Sequence, residues 1–227
     1  MIKALFCDFY GTVVYEDDDP INSIVDRIYR AGGAESREEI STFWWRRFSA
    51  LCAEAFGDDF RTQRELELQS LAETLKRFNA KEDMIELSAP QFAYWKKPPI
   101  FSDSKDFFCR CPLPIHIVSN IDTADLDAAM RYHNLYPAGI VTSEEARSYK
   151  PRPNIFLLAL HKFCYSPDEV IHLGDSVTSD VLGAKAARIQ PVWINRKKKE
   201  IPTDVDRHVM DLVDVIDILA TGIVNPR

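Results

Sequence analysis

Along the chain, short unbroken apolar runs alternate with longer stretches whose apolar residues recur every third or fourth position. Ile2–Cys7 is the first run, closed by Asp8 and turned at Gly11-Thr12. A run this short, bounded by a turn, predicts a strand covered on both faces. Ile115–Val118, Val170–Leu173 and Pro191–Ile194 repeat the pattern, and Gly139-Ile140-Val141 is a further, weaker candidate. Between them, Thr123–Tyr132, Pro153–Phe163 and Asp180–Arg188 carry helical spacing, and Ser166-Pro167-Asp168-Glu169 reads as a capping-box turn into the next strand. Strands alternating with helices predict an α/β domain built on a parallel sheet.

The segment 16–95 follows the other regime. After the turn-like Asp17-Asp18-Asp19-Pro20 it holds no strand-like run. Ile21, Ile24, Val25 and Ile28 mark one amphipathic helix, and Ile40, Phe43, Trp44, Phe48 and Leu51 a second. Leu66, Leu68, Leu71, Leu75 and Phe78 mark a third, and a fourth runs from Glu82 to Trp95 until Lys96-Lys97-Pro98-Pro99 stops it. The predicted organisation is an α/β core formed by residues 1–15 and 96–227, with a helical insertion, 16–95, between its first and second strands.

Composition narrows the function classes. The chain has 227 residues, 46% of them hydrophobic, and 28 basic against 35 acidic side chains give a formal net charge of −7. That length buries a sizeable core. No apolar run approaches the roughly 20 residues of a membrane span, and Asp8 interrupts the opening run too early for a secretory leader. An acidic chain lacks the basic surplus that sequence-independent nucleic-acid binding requires. The expected partner is therefore a small molecule or another protein, neither nucleic acid nor membrane, with monomer and homodimer both open. Cys7, Cys52, Cys109, Cys111 and Cys164 without a leader point to a reducing, cytoplasmic setting. Cys109-Arg110-Cys111 lacks the second pair that a structural zinc site needs. His116 and His172 read as sheet residues, and Arg196-Lys197-Lys198-Lys199 as a solvated loop.

Ligands of open parallel sheets bind beyond the carboxyl ends of the strands, so the polar residues there are the candidates. The first strand ends in Asp8-Phe9-Tyr10-Gly11-Thr12, the second in Ser119-Asn120, and the third in Gly174-Asp175-Ser176, with Asp180 beyond it; Lys150-Pro151 precedes a helix. Singly, each has a plain structural reading: a turn aspartate, a helix cap, a first-turn charge. In this order and at these positions, together, they outline one reactive rim.

In these motifs the chain resembles the haloacid dehalogenase-like hydrolases: Asp8-x-Tyr10-Gly11-Thr12, Ser119, Lys150-Pro151 and Gly174-Asp175-Ser176-x-x-x-Asp180 match that family's motifs in order. The resemblance implies a Rossmann-like core with the insertion as a helical cap over the site. It makes Asp8 the nucleophile. Magnesium, which takes hard oxygen ligands, is held by Asp8, the Tyr10 carbonyl and Asp175. Asp180 orients Asp175 or a metal-bound water. Ser119 and Lys150 hold and neutralise the transferring group of a small anionic substrate, Lys150 keeps Asp8 ionised, and Thr12 completes an anion nest.

Two departures pull in opposite directions. Phosphatases of the family carry an Asp, as general acid and base, where this chain has Tyr10. The Asp-x-Tyr-Gly-Thr spelling is similar to that of the 2-haloacid dehalogenases, as are Ser119-Asn120 and Trp193-Ile194-Asn195-Arg196. The stretch Glu39–Arg47 resembles the dehalogenase cap segment that supplies a substrate-binding arginine, with Arg46 and Arg47 as candidates. Dehalogenases, however, carry Ser-Ser-Asn where this chain has Asp175-Ser176-Val177. An added carboxylate beside a nucleophilic Asp hinders attack unless a cation separates them. The expected function is thus a magnesium-dependent phosphatase; the alternatives are a dehalogenase attacking carbon through Asp8 and a weakened protein that only binds. Trp44, Trp45, Phe48, Phe92, Tyr94 and Trp95 either line a pocket or, at helical spacing, pack inside the cap.

Overall fold

A computed structural model describes residues 1–221. Six strands form one parallel sheet: β1 (Ala4–Cys7), β2 (Ile115–Ser119), β3 (Gly139–Thr142), β4 (Val170–Gly174), β5 (Gln190–Ile194) and β6 (His208–Val209), in the order β3-β2-β1-β4-β5-β6. Strand β1 pairs Cys7 with Ile117 on one side and with Leu173 on the other, so the carboxyl ends of β1, β2 and β4 finish side by side. Alternation along β1 feeds two cores. Leu5 and Cys7 pack with Ile117, Leu126 and Ile171 on one face; Ala4 and Phe6 pack with Val118, Phe156 and Val170 on the other. With both faces covered, the strands must be apolar throughout, which is why the short runs were legible as strands. The α/β reading and its parallel sheet hold.

Helices α1 (Asp18–Ala31), α2 (Arg37–Glu54), α3 (Gln63–Arg77) and α4 (Met84–Lys96) lie between β1 and β2. Each of the last three has a local start signal. Ser36 accepts from the Glu39 amide, Thr62 and Glu65 form a capping box, and Asp83 accepts from the Ile85 and Glu86 amides. Ile24, Val25, Ile28, Ile40, Trp44, Leu71, Phe78 and Leu87 converge in a separate apolar cluster. The chain then adds α5 (Ser104–Arg110), α6 (Thr123–His133), α7 (Ser143–Ala146), α8 (Asn154–Phe163), α9 (Gly183–Ala186) and α10 (Val213–Thr221). Asn134 and Cys164, both left-handed at φ 56° and 59°, end α6 and α8.

The helix expected from Asp180 to Arg188 differs from expectation. Val177–Leu182 winds as a wide π-type turn and only then tightens into α9. Ser176 dictates this: its hydroxyl caps the Ser179 amide, and its carbonyl accepts from both the Asp180 and Val181 amides. The wide turn folds Asp180 back over the Ser176 amide, which donates to its carboxylate. Helices α5 and α7 and the two-residue β6 lie outside the sequence-based element map. Among the described residues, no helix is long and apolar enough to cross a membrane, and all five cysteines are free thiols.

The helical segment is tied to the core through α4, which packs on α6, and through the residues that lead into and open α3. The Asp122 carboxylate, just beyond β2, accepts from the Gln63 and Arg64 amides at 2.7 and 3.1 Å. Arg64 pairs with the buried Asp125 through two bonds of 2.7 and 2.6 Å. Tyr149 donates to the Arg61 carbonyl at 2.8 Å and stacks on Phe60. These contacts hold α2–α4 over the carboxyl end of β1.

Candidate active site

The ladder places Asp8 directly. Its amide donates to the Leu173 carbonyl at 2.8 Å, extending the β1–β4 pairing one residue past the strand. Its carboxylate then projects beyond the sheet yet stays buried, 6% exposed. Asp8 Oδ1 accepts from Ser119 Oγ at 2.9 Å and from Lys150 Nζ at 2.6 Å. Among the described residues Oδ2 has no hydrogen-bond donor, so one oxygen is anchored and the other is available for chemistry.

Lys150 is the hub. Its ammonium also donates to Asp180 Oδ1 at 2.7 Å and to the Val118 carbonyl at 3.1 Å, using all three protons. Asn120 fixes the lysine backbone from both sides: its Oδ1 accepts from the Lys150 amide at 2.7 Å and its Nδ2 donates to the Lys150 carbonyl at 3.1 Å. Asp180 Oδ1 lies 2.9 Å from His172 Nε2, and Gly174 leaves the room it occupies. Sequence reasoning missed His172, since an apolar strand gives no sign that one of its side chains reaches a carboxylate.

Asp175 sits at the end of β4, its carbonyl held by Trp193 Nε1 at 2.7 Å. Its carboxylate receives one donor among the described residues, the Thr12 hydroxyl at 3.3 Å. Gly11, at φ 86°, brings the turn so close that a Cβ there would fall 2.5 Å from Asp175 Oδ1. Arg196 corrects the reading of its run as a solvated loop. Its guanidinium donates twice to the Thr12 carbonyl, at 2.9 and 2.6 Å, pairs with Asp103 and covers the Phe101 ring. Arg196 thus props the Gly11-Thr12 turn from behind.

Burial and charge act against each other here. Burial raises the Asp8 carboxyl above the ordinary range; Lys150 opposes that and Asp180 adds to it. Burial also acts upward on Asp180, but Lys150 and His172 outweigh it and hold that carboxyl below the ordinary range. Lys150, despite burial, is held charged by Asp180 and Asp8. Asp175 stands well above the carboxylate range because of burial, then Asp180 and Asp8, with Lys150 too weak to compensate. Ligand oxygens of Asp8, Asp175 and Asp180 all lie within 4.8 Å of one another. Three carboxylates this close, one nearly devoid of donors, fit a hard divalent cation such as magnesium.

The other predicted residues separate. Tyr10 lines the same cavity, but its phenol donates to the Trp95 carbonyl at 2.5 Å, joining the turn after β1 to the end of α4. Burial, then Asp125 and Asp17, pushes that phenol well above its usual range. Arg47 is committed to Glu73, at 2.5 and 3.0 Å, and Arg46 lines an outer groove with Ser36, Glu39 and Arg77. Neither lines the cavity at Asp8. That cavity, about 220 Å³, takes Trp45, Phe48 and Trp95 from the helical segment. Trp44 instead is buried and donates to Ser70 Oγ at 2.9 Å. Phe92 and Tyr94 pack, partly buried, against the core cluster.

Residues 2–188 match the family model described as haloacid dehalogenase-like hydrolase. The chain belongs to the haloacid dehalogenase-like hydrolases. This hydrolase is 33% identical over 123 residues to haloacid dehalogenase-like hydrolase domain-containing protein 3 of Danio rerio, covering 51% of the chain and 50% of the relative. It is 27% identical over 145 residues to a phosphoserine phosphatase of Thermus thermophilus, covering 60% and 57%. The chain thus spans about half the length of these relatives. Its fold is that of L-2-haloacid dehalogenase from Xanthobacter autotrophicus, at a TM-score of 0.74 and 20% identity over 97% of this chain and 99% of that one. A phosphatase is thus among the relatives by sequence, and a dehalogenase among the structures that share the fold.

Proposed function

We propose that this hydrolase is a magnesium-dependent phosphatase acting on a small phosphomonoester through a phosphoaspartate on Asp8, with α1–α4 as its cap. The observation that carries the reading is the carboxylate cluster of Asp8, Asp175 and Asp180 around a single lysine. An enzyme displacing halide from carbon has no use for a second, poorly compensated acid beside its nucleophile. A haloacid's carboxylate also needs a cation, and neither Arg46 nor Arg47 lines the cavity.

Asp8, the Tyr10 carbonyl and Asp175 would hold the ion, which supplies charge neutralisation to the phosphoryl oxygens. The chain's own groups do the rest. Ser119 and Lys150 grip Asp8 Oδ1, so Oδ2 is aimed at phosphorus. As the new O–P bond forms, the ester O–P bond breaks and the leaving oxygen departs as an anion that takes its proton from solvent water; a second water then cleaves the acyl phosphate, giving inorganic phosphate and the Asp8 carboxylate. Asp180 keeps the lysine in place through its own three partners, Lys150, His172 and the Ser176 amide. With the Tyr10 phenol turned to Trp95, no acid stands at the family's usual proton-donating position, which favours leaving groups that depart without one.

The test is an activated aryl phosphate with magnesium or chelator, in parallel with 2-chloropropionate. Phosphate release that needs magnesium and disappears in Asp8→Asn is expected. Chelator-insensitive chloride release would replace this reading with dehalogenation, and binding of magnesium and phosphate analogues without either product would leave a protein that only binds.

A further inference from the structure

We propose that the cavity selects its substrate by the charge of the alcohol part: an ammonium is favoured, and a carboxylate or second phosphate is excluded. This rests on the phosphatase reading and extends it from the reacting centre to the other walls of the same cavity. Glu16 and Asp17, where the chain leaves the sheet for α1, line it together with Trp45 and Phe48 on α2 and Trp95 on α4. Among the described residues the charged lining of the cavity is Asp8, Glu16, Asp17, Asp175 and Asp180 against Lys150.

The cations nearest in sequence are all engaged elsewhere. Arg47 is bound to Glu73, Arg61 to Gln69 and Arg64 to Asp125, while Arg46 faces the outer groove. Lys150 is saturated and sits at the phosphoryl end. A second anion on the substrate would therefore enter a space lined by carboxylates and aromatic faces, where Lys197, the cation on Glu16, is already paired. An ammonium meets both favourable partners. Trp45 is 69% exposed although it belongs to the cavity wall, and its ring lies 6.1 Å from that of Phe48. Such an indole face attracts a cation. Glu16, whose present partner is the exposed Lys197, and Asp17, held by Gln91 and Trp95 through one oxygen, supply the negative field behind it.

Non-hydrolysable phosphonates of one length separate this from turnover. Titrated into the wild-type protein with magnesium, 3-aminopropylphosphonate is expected to bind about tenfold tighter than butylphosphonate, and 3-phosphonopropanoate about tenfold weaker, the scale of one cation–π or like-charge contact. Trp45→Ala and, separately, Glu16→Gln should each shrink the ratio of amine to butylphosphonate affinity, the reading being the ratio and not either affinity alone. Equal or tighter binding of the carboxylate than of the alkyl compound overturns charge selection while leaving the phosphatase reading intact. Failure of all three to bind in magnesium overturns the phosphoryl site itself, and the selectivity with it.

Discussion

Gly174→Ala tests how Asp180 is positioned. A Cβ on residue 174 would lie 2.2 Å from Asp180 Cγ and 2.5 Å from its Cβ and Oδ2. Carbon contacts settle near 3.5 Å, so the carboxylate must retreat by about 1 Å. It cannot do so freely, because Lys150, His172 and the Ser176 amide all hold it. Overpacking costs about 1–3 kcal/mol, and weakening a charge-assisted bond adds roughly 2 kcal/mol, so a loss of about 3–5 kcal/mol is expected. For a chain of this size that lowers the melting temperature by about 10 °C. Lys150 follows Asp180, and an ångström of misplacement at the nucleophile's partner should reduce turnover by about 10²-fold. Thermal melting in chelator and steady-state phosphate release measure the two effects. In an Asp180→Gly background the three atoms nearest the added methyl are gone, and its own cost should fall below about 1 kcal/mol. A Gly174→Ala protein that melts within about 1 °C of wild type and turns over normally would refute the steric argument.

Asp175→Asn should raise the melting temperature in chelator, because it removes a buried acid whose ionisation is opposed by burial and by Asp180 and Asp8. The same substitution should abolish the magnesium-induced stabilisation, about 2.7 kcal/mol at a hundredfold excess over Kd, and retention of that shift would show that Asp175 is no ligand. Glu67, buried in the helical segment, has its carboxyl pushed up to about 8 by burial and then by Asp17. Between roughly pH 4.3 and that value the unfolded chain loses the proton while the folded one keeps it, so stability falls as pH rises. Glu67→Gln should therefore stabilise the protein by an amount growing from acid pH and levelling above about pH 8, read from denaturation midpoints against pH; a constant difference would contradict this. Tyr10→Asp should raise turnover on alkyl phosphates by up to about 10²-fold, and Tyr10→Phe should cost about 1 kcal/mol of stability without altering the pH profile. An alkyl rate unmoved by the carboxyl would show that proton supply is not limiting.

Much of this was legible because the sheet is parallel and covered. Asp8, Ser119 and Asp175 follow apolar runs, and the topology delivers such ends to one rim. Asn120 and Lys150 were legible as motif residues, though not the mutual backbone bonds that join them. His172 was hidden because a fully buried strand has no polar face to mark. Trp44 and Trp45 could not be told apart by composition; the helical step of about 100° turns one into the cluster and the other to the cavity. Arg46 and Arg47 depended on the same step, and Glu73 on another helix decided the second. Arg196 lay in a basic run whose solvated appearance reflected its neighbours Lys197 and Lys199, not the contact it makes with Thr12.

Because β1 occupies an interior place in the sheet order, flanked by β2 and β4, every strand bearing a reacting group is shielded by another strand outside it. Damage arriving from the margins, at the two-residue β6 or at β3, reaches scaffolding before chemistry. Amide protons of β1 should consequently be among the last to exchange.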